Sequence, residues 1–417
     1  MSALERGAFS SYDTGMPAGT SIRVSARVSG FSYAIRNIVA EATKVEAAGR
    51  RVRYLNIGDP VPFGFQTPPH MIEAVERALR DGHNGYVPSV GIEPARRAIA
   101  AEYSARGVAI SPDRVVVTAG TSEGIELALS AMVDAGDDVL VPTPTYPLYT
   151  AVLAKIGARP VYYRTDPARA WQPDVDDIAR LLSPRTRALV IIDPNNPTGA
   201  VYSEGTRRQL IALAETAGIP ILADEVYGDV AYDAPSPLLG SLAPDAPIVS
   251  FSSLSKAYLA PGWRTGWLVV GKSDRMDDVL AAIKKMADGR LCSSGPMQYA
   301  IEPALSGDRS HQREFSEALR LRAEITTNRI NAIPGMRCVM PRAAFYAMPQ
   351  VDLPPGHTDE DYILGLLRAT GNLCVYGSGF GMPADAGYFR IVFLAAPDLL
   401  NTIYDEMAEF TRDFLSR

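Results

Sequence analysis

The run Ser252-Ser253-Leu254-Ser255-Lys256 places a lysine directly after an apolar stretch, and Pro261-Gly262-Trp263-Arg264 follows it. A lysine just beyond a buried strand lies partly out of water, which lowers its pKa and frees the neutral amine for imine formation. Small hydroxylated neighbours, Ser253 among them, leave room for a phosphate, and the Arg264 guanidinium can hold that phosphate through paired hydrogen bonds. On its own the segment fits a surface lysine beside a turn better. Four more polar clusters close apolar runs: Thr118-Ala119-Gly120-Thr121-Ser122, Pro142-Thr143-Pro144-Thr145-Tyr146, Asp193-Pro194-Asn195-Asn196-Pro197-Thr198-Gly199 and Asp224-Glu225-Val226-Tyr227. Gly120-Thr121-Ser122 opens a predicted helix, whose first N–H groups are a ready anion site. Ordinary readings exist as well: Asp224 as a helix N-cap, the Asn196-Pro197 turn as chain punctuation, Tyr146 and Tyr227 as packing.

These clusters need a frame to bring them together. From about Pro68 to Gly271, strand-like apolar runs alternate with helix-like periodic stretches, the pattern of an α/β domain with a mainly parallel sheet. Seven strands are predicted, over 114–118, 138–141, 160–163, 188–192, 219–223, 248–251 and 266–270. A helix with Ile125, Leu129 and Met132 on one face joins the first two. In an open parallel sheet, ligands bind beyond the carboxyl ends of the strands, and five polar clusters at such ends point into one crevice. Towards the C-terminus the pattern changes to a long helical stretch over 315–333 and short strands near 336–339, 345–348, 373–375 and 389–393. Leu400, Ile403, Met407, Phe410 and Phe414 mark an amphipathic closing helix. The expected organisation is a large domain, 68–305, a smaller C-terminal α+β domain, 306–417, and an N-terminal segment, 1–67, packing with the latter.

Composition narrows the partners. The 417 residues exceed what one hydrophobic core usually serves, and 47% hydrophobic with 21% charged residues is ordinary for a soluble globular protein. A net charge of −6 argues against nucleic acid as the main partner. No apolar run approaches membrane-spanning length, and Met1 to Thr14 lacks the apolar core of a secretory signal. Cys292, Cys338 and Cys374 are far apart and odd in number, as free thiols in a reducing compartment would be, so a cytoplasmic location is expected. The four histidines are scattered without metal-ligand spacing, and no metal is expected.

Ser-x-Ser-Lys with Pro-Gly-Trp-Arg-x-Gly-Trp resembles the cofactor-lysine signature of the class I/II aminotransferases, the fold-type I pyridoxal-phosphate enzymes. Asn195-Asn196-Pro197-Thr198-Gly199, Asp224-Glu225-Val226-Tyr227 and Phe389-Arg390-Ile391 occur in that family's order and spacing, and the resemblance runs from about Val24 to the end. It implies pyridoxal 5'-phosphate, carried by Lys256 as a Schiff base. Asp224 then corresponds to the carboxylate that pairs with the pyridine nitrogen and keeps the ring an electron sink. Asn196 and Tyr227 resemble the groups that hydrogen-bond the phenolic oxygen. Gly120, Thr121, Ser122, Ser253 and Arg264 resemble the phosphate cradle, and Tyr146 the aromatic stacked on the ring. Tyr86, in Gly85-Tyr86-Val87-Pro88, resembles a tyrosine that reaches the phosphate of a neighbouring subunit, which implies a homodimer with shared sites. Arg390 resembles the fork that grips the substrate α-carboxylate, and Gly58 a backbone segment that closes over the substrate. Asp193 departs from the family's loop, which usually begins with asparagine; that position is not the cofactor contact.

Within the family, Leu55 to Phe65 and Arg290-Leu291-Cys292 look most like the bacterial and archaeal alanine aminotransferases, which implies exchange of an amino group between alanine and 2-oxoglutarate. Aromatic, branched-chain or aspartate aminotransferases, a cysteine-S-conjugate β-lyase and an aminocyclopropane-carboxylate synthase share the same residues and stay open. A sensor domain of a transcriptional regulator is disfavoured, because only about twenty residues precede the match and the chain is acidic.

Overall fold

The computed structural model describes Ile22, Ser25, Arg27 and residues 38–416. The expectations for Met1 to Thr14, for the start of the match near Val24 and for most of the first half of segment 1–67 lie outside the described residues.

The frame is a sheet whose strands run in the order Val115–Thr118, Gly266–Val270, Ile248–Ser253, Ile221–Asp224, Thr186–Ile192, Asp138–Thr143, Arg159–Asp166 and Gln172–Pro173. The four pairings along the centre, from Ile248–Ser253 across to Arg159–Asp166, are parallel. Gly266–Val270 runs antiparallel to both of its neighbours, and Gln172–Pro173 antiparallel to its one. Central parallel strands are covered on both faces, so their sequences read as unbroken apolar runs, and Ala188 to Ile192 and Ile221 to Ala223 are indeed all buried. Seven of the strands are those expected. The eighth corrects the expected count: Gln172–Pro173 has two residues, contains a proline and follows Trp171 at φ 62°, too short and too irregular for a periodicity argument.

Helices return the chain from one strand to the next, and their starts and stops are written locally. Ser203 caps the Glu204–Ala217 helix by accepting from the Thr206 N–H at 3.1 Å, and Gly218 ends it in the left-handed region at φ 72°.

In the C-terminal part the helices Ser310–Asn331 and Pro397–Leu415 pack on each other, beside an antiparallel trio of Tyr346–Ala347, Phe389–Val392 and Val375–Tyr376. The expected 373–375 strand is two short ones, Asn372–Leu373 and Val375–Tyr376, and the former pairs in parallel with Arg53–Tyr54 from the other end of the chain. No helix among the described residues is long and apolar enough to cross a membrane, and no group of His, Cys, Asp and Glu there has the arrangement of a metal site. All three cysteines are free.

Candidate active site

The strand ends meet at a cavity of about 480 Å³. Gly58, Thr121, Ser122, Tyr146, Asn196, Asp224, Tyr227, Ser253, Lys256, Arg264 and Arg390 all line it. Gly120 stands one residue behind the lining, and Tyr86 is 85% exposed and lies away from the cavity.

Lys256 follows the Ile248–Ser253 strand, and its Nζ donates to the Gly58 carbonyl at 2.8 Å. Burial pushes its pKa down to about 8; the Asp59 charge opposes the shift and the Arg390 and Arg264 charges add to it. The approach is possible because residue 58 is glycine: a Cβ there would overlap the Tyr346 hydroxyl.

Asp224 ends the Ile221–Asp224 strand and is almost fully buried. Its Oδ2 accepts from the Tyr149 hydroxyl at 3.2 Å and its Oδ1 from the Val226 N–H at 3.4 Å. Burial pushes this carboxyl up to about 6, against the pull of those two donors and of the Lys256 charge. The Tyr227 hydroxyl lies 2.9 Å from that of Tyr346, and burial holds its pKa well above the usual value.

Arg390, on the Phe389–Val392 strand, is buried between two rings, 4.6 Å from the Tyr346 centroid and 4.8 Å from Phe380. Its Nη1 donates to Asn196 Oδ1 at 3.1 Å, its Nη2 donates to the Asn56 carbonyl, and its Nε has no hydrogen-bond partner.

The opposite side of the cavity is built for an anion. The Thr121–Met132 helix begins there, and the buried Thr121 hydroxyl has no partner. Gly120 sits at φ 82°, where a Cβ would collide with the Arg264 guanidinium. Gly266, which sequence reasoning missed, lies so near that a Cβ would come within 2.7 Å of the Thr121 nitrogen. The Arg264 guanidinium is tethered to the Pro261 and Ala119 carbonyls at 2.9 and 3.3 Å. An orphaned buried hydroxyl, a helix start and a tethered guanidinium match a phosphate. A lysine whose pKa burial lowers to about 8 and a buried carboxyl match an aromatic aldehyde with a basic ring nitrogen. The donor set therefore fits pyridoxal phosphate.

Sequence reasoning also missed Tyr149 and Tyr346. Tyr149 had a signal, since it lies three residues after Tyr146 on the Pro147–Ile156 helix; Tyr346 lies on the short strand expected over 345–348, but no polar cluster or motif marked its side chain. Asp193 does not line the cavity. It pairs with the buried Arg207 at 2.6 Å and accepts from the Tyr202 N–H, behind the loop that carries Asn196.

A lysine and an aspartate at the ends of neighbouring parallel strands, facing an anion cradle at a helix start, define a fold-type I enzyme. The chain belongs to the class I and II aminotransferases, whose family model matches residues 52–402, and whose members use pyridoxal phosphate. It is 37% identical to the glutamate-pyruvate aminotransferase AlaA of Escherichia coli K12 over 399 residues, covering 93% of this chain and 98% of that one. It is 39% identical to the alanine aminotransferase of Mycobacterium bovis over 379 residues, covering 89% and 88%. The structure of an alanine aminotransferase from Pyrococcus furiosus superposes with a TM-score of 0.91 at 39% identity, covering 94% of this chain and all of that one.

Proposed function

We propose that this aminotransferase exchanges an amino group between alanine and 2-oxoglutarate, in two alternating half-reactions at one site, with pyridoxal phosphate held by Lys256. The observation that carries the reading is the convergence of Lys256, Asp224 and the Arg390–Asn196 pair on one cavity. When bound, the cofactor supplies an electron-withdrawing ring for the carbon that loses its proton. Asp224 would pair with the ring nitrogen and favour its protonated form. Tyr227 and Asn196 would donate to the phenolic oxygen, Tyr146 would stack on the ring, and Gly120, Thr121, Ser122, Ser253 and Arg264 would hold the phosphate. Arg390 presents its fork to the substrate carboxylate with Asn196 beside it, and Gly58 lets the backbone close over the substrate. Lys256 Nζ would take the proton from the substrate Cα and hold it for return to the carbon on the other side of the shared nitrogen, a task suited to an amine whose pKa burial lowers to about 8.

Three further parts of the reading rest on this assignment. Tyr86, 85% exposed in the single chain, reaches the phosphate of a second copy in a homodimer. The N-terminal segment to residue 67 works with the part from 306 onward, an arrangement favoured by the pairing of Arg53–Tyr54 with Asn372–Leu373. The free cysteines suit the cytoplasm.

Borohydride treatment of the yellow enzyme is expected to fix the cofactor on the peptide containing Lys256, and labelling of another lysine would overturn the anchor. A donor panel with 2-oxoglutarate as acceptor, scored by kcat/KM, is expected to place alanine among the best donors. Inert alanine beside a reactive aromatic or sulfur amino acid would overturn the substrate and leave the cofactor.

A further inference from the structure

Asp224 is held from behind by a side chain that never reaches the cavity. Tyr149 lies in the first turn of the Pro147–Ile156 helix, is fully buried in the same apolar cluster as Val139, Val141 and Leu222, and points its hydroxyl at Asp224 Oδ2, 3.2 Å away. The only other hydrogen bond to this carboxylate among the described residues is the longer one from the Val226 N–H, 3.4 Å from Oδ1. Burial and the Asp224 charge hold the Tyr149 pKa well above its usual value, so this phenol stays protonated and acts towards Asp224 as a donor.

We propose that Tyr149 is the positioning residue of the site: its hydroxyl fixes the rotation of the Asp224 carboxylate and favours the ionised form that the ring nitrogen requires. A donor to one oxygen sets the plane of the carboxyl group and leaves the other oxygen to aim at the cavity. A hydrogen bond to an ionised acceptor is stronger than one between neutral groups, so Tyr149 favours the anion over the acid. The inference rests on the reading of Asp224 as the partner of the ring nitrogen.

The test uses the cofactor-loaded enzyme. Tyr149→Phe removes the hydroxyl and keeps the ring. Tyr163→Phe is the matched control: Tyr163 is equally buried on the Arg159–Asp166 strand, but its hydroxyl donates to the Val190 carbonyl at 2.8 Å and not to Asp224. Tyr149→Phe is expected to lower kcat about tenfold or more for every donor, equivalent to about 1.4 kcal/mol. KM for the amino acid should change little, because the lost interaction matters in the transition state and not in carboxylate binding. The acid limb of kcat/KM should move to higher pH, because an anion deprived of a donor is protonated more readily; the limb belongs to the Asp224–ring pair as a unit. Tyr163→Phe is expected to lower Tm alone. If both variants lower Tm and neither moves kcat or the acid limb, Tyr149 is packing and the proposal falls. Should Tyr149→Phe fail to fold, 3-fluorotyrosine at position 149 keeps shape and sharpens the donor. The acid limb should then move to lower pH, and a stationary limb would overturn the proposal. Wild-type enzyme without the yellow band would sink the cofactor reading itself, whereas active yellow wild type with an unaffected Tyr149→Phe sinks the inference alone.

Discussion

Arg390 is the residue on which four other stretches of chain converge: Asn56 and Asn196 accept from its two terminal nitrogens while Tyr346 and Phe380 flank its plane. Arg390→Lys keeps the charge and loses the two-pronged geometry and both stacking faces. A charge-assisted hydrogen bond contributes roughly 1.5–3 kcal/mol, and at about 1.4 kcal/mol per decade kcat/KM is expected to fall roughly tenfold to a hundredfold for every donor. A loss confined to one donor would make Arg390 a side-chain reader. The neighbour of Asp224 gives a second measurement at this scale. Glu225 is buried, its Oε1 accepts from the Leu239 N–H, and burial pushes its pKa from 4.5 up to about 7. A carboxyl raised in the folded state contributes stability below its unfolded pKa and loses it as pH rises through the folded one. Glu225→Gln removes that penalty. Its Tm relative to wild type is therefore expected to climb between about pH 4.5 and 7 and then level off, by the equivalent of up to about 3 kcal/mol. A difference in Tm that is constant with pH would show that Glu225 does not titrate in this range.

At the scale of elements, the site exists because strands stop and helices start at one edge of the sheet. Gly266 shows how tightly these ends are set: its strand begins against the turn at Gly120–Thr121, with no room for a Cβ. Gly266→Ala is expected to push that turn off the anion and weaken cofactor binding about tenfold or more, the equivalent of about 1.4 kcal/mol, as read by cofactor fluorescence titration. Unchanged affinity would place the phosphate elsewhere. Most of this edge was legible in the sequence, because a buried parallel strand must be an unbroken apolar run and the polar residue after it must mark the end. The polar clusters that carry Lys256, Asp224, Asn196 and Thr121 therefore showed as strand ends, the resemblance in motifs singled these four out, and all four line the cavity. What escaped had weaker signals. The Asp359–Thr370 helix was overlooked although Thr358 and Asp361 form a reciprocal cap that announces it. Gln172–Pro173 is set by tertiary pairing and carries no period of its own, and the pairing of Arg53–Tyr54 with Asn372–Leu373 joins ends of the chain that no local pattern links.

Across the whole molecule, Gly58, Lys256 and Arg390 come from the beginning, middle and end of the chain yet border one cavity, so the site assembles only when the chain has folded throughout. The resemblance in motifs found the residues that face inward. It did not find Tyr149 or the Asp193–Arg207 pair, because a supporting contact depends on which helix packs behind which strand, and motif spacing holds no record of that.

The clamped guanidinium has a kinetic consequence. Its position is settled when the protein folds, and among the described residues the one other arginine lining the cavity is Arg264, tethered to the Pro261 and Ala119 carbonyls. With Arg390 in its proposed role as the carboxylate grip, the amino acid and the oxo acid queue for one berth. An oxo acid in large excess will moor in the enzyme form that awaits the amino acid, as a visitor that cannot react there. Turnover should accordingly rise and then fall as 2-oxoglutarate is increased at fixed alanine, and more alanine should lift the descending arm.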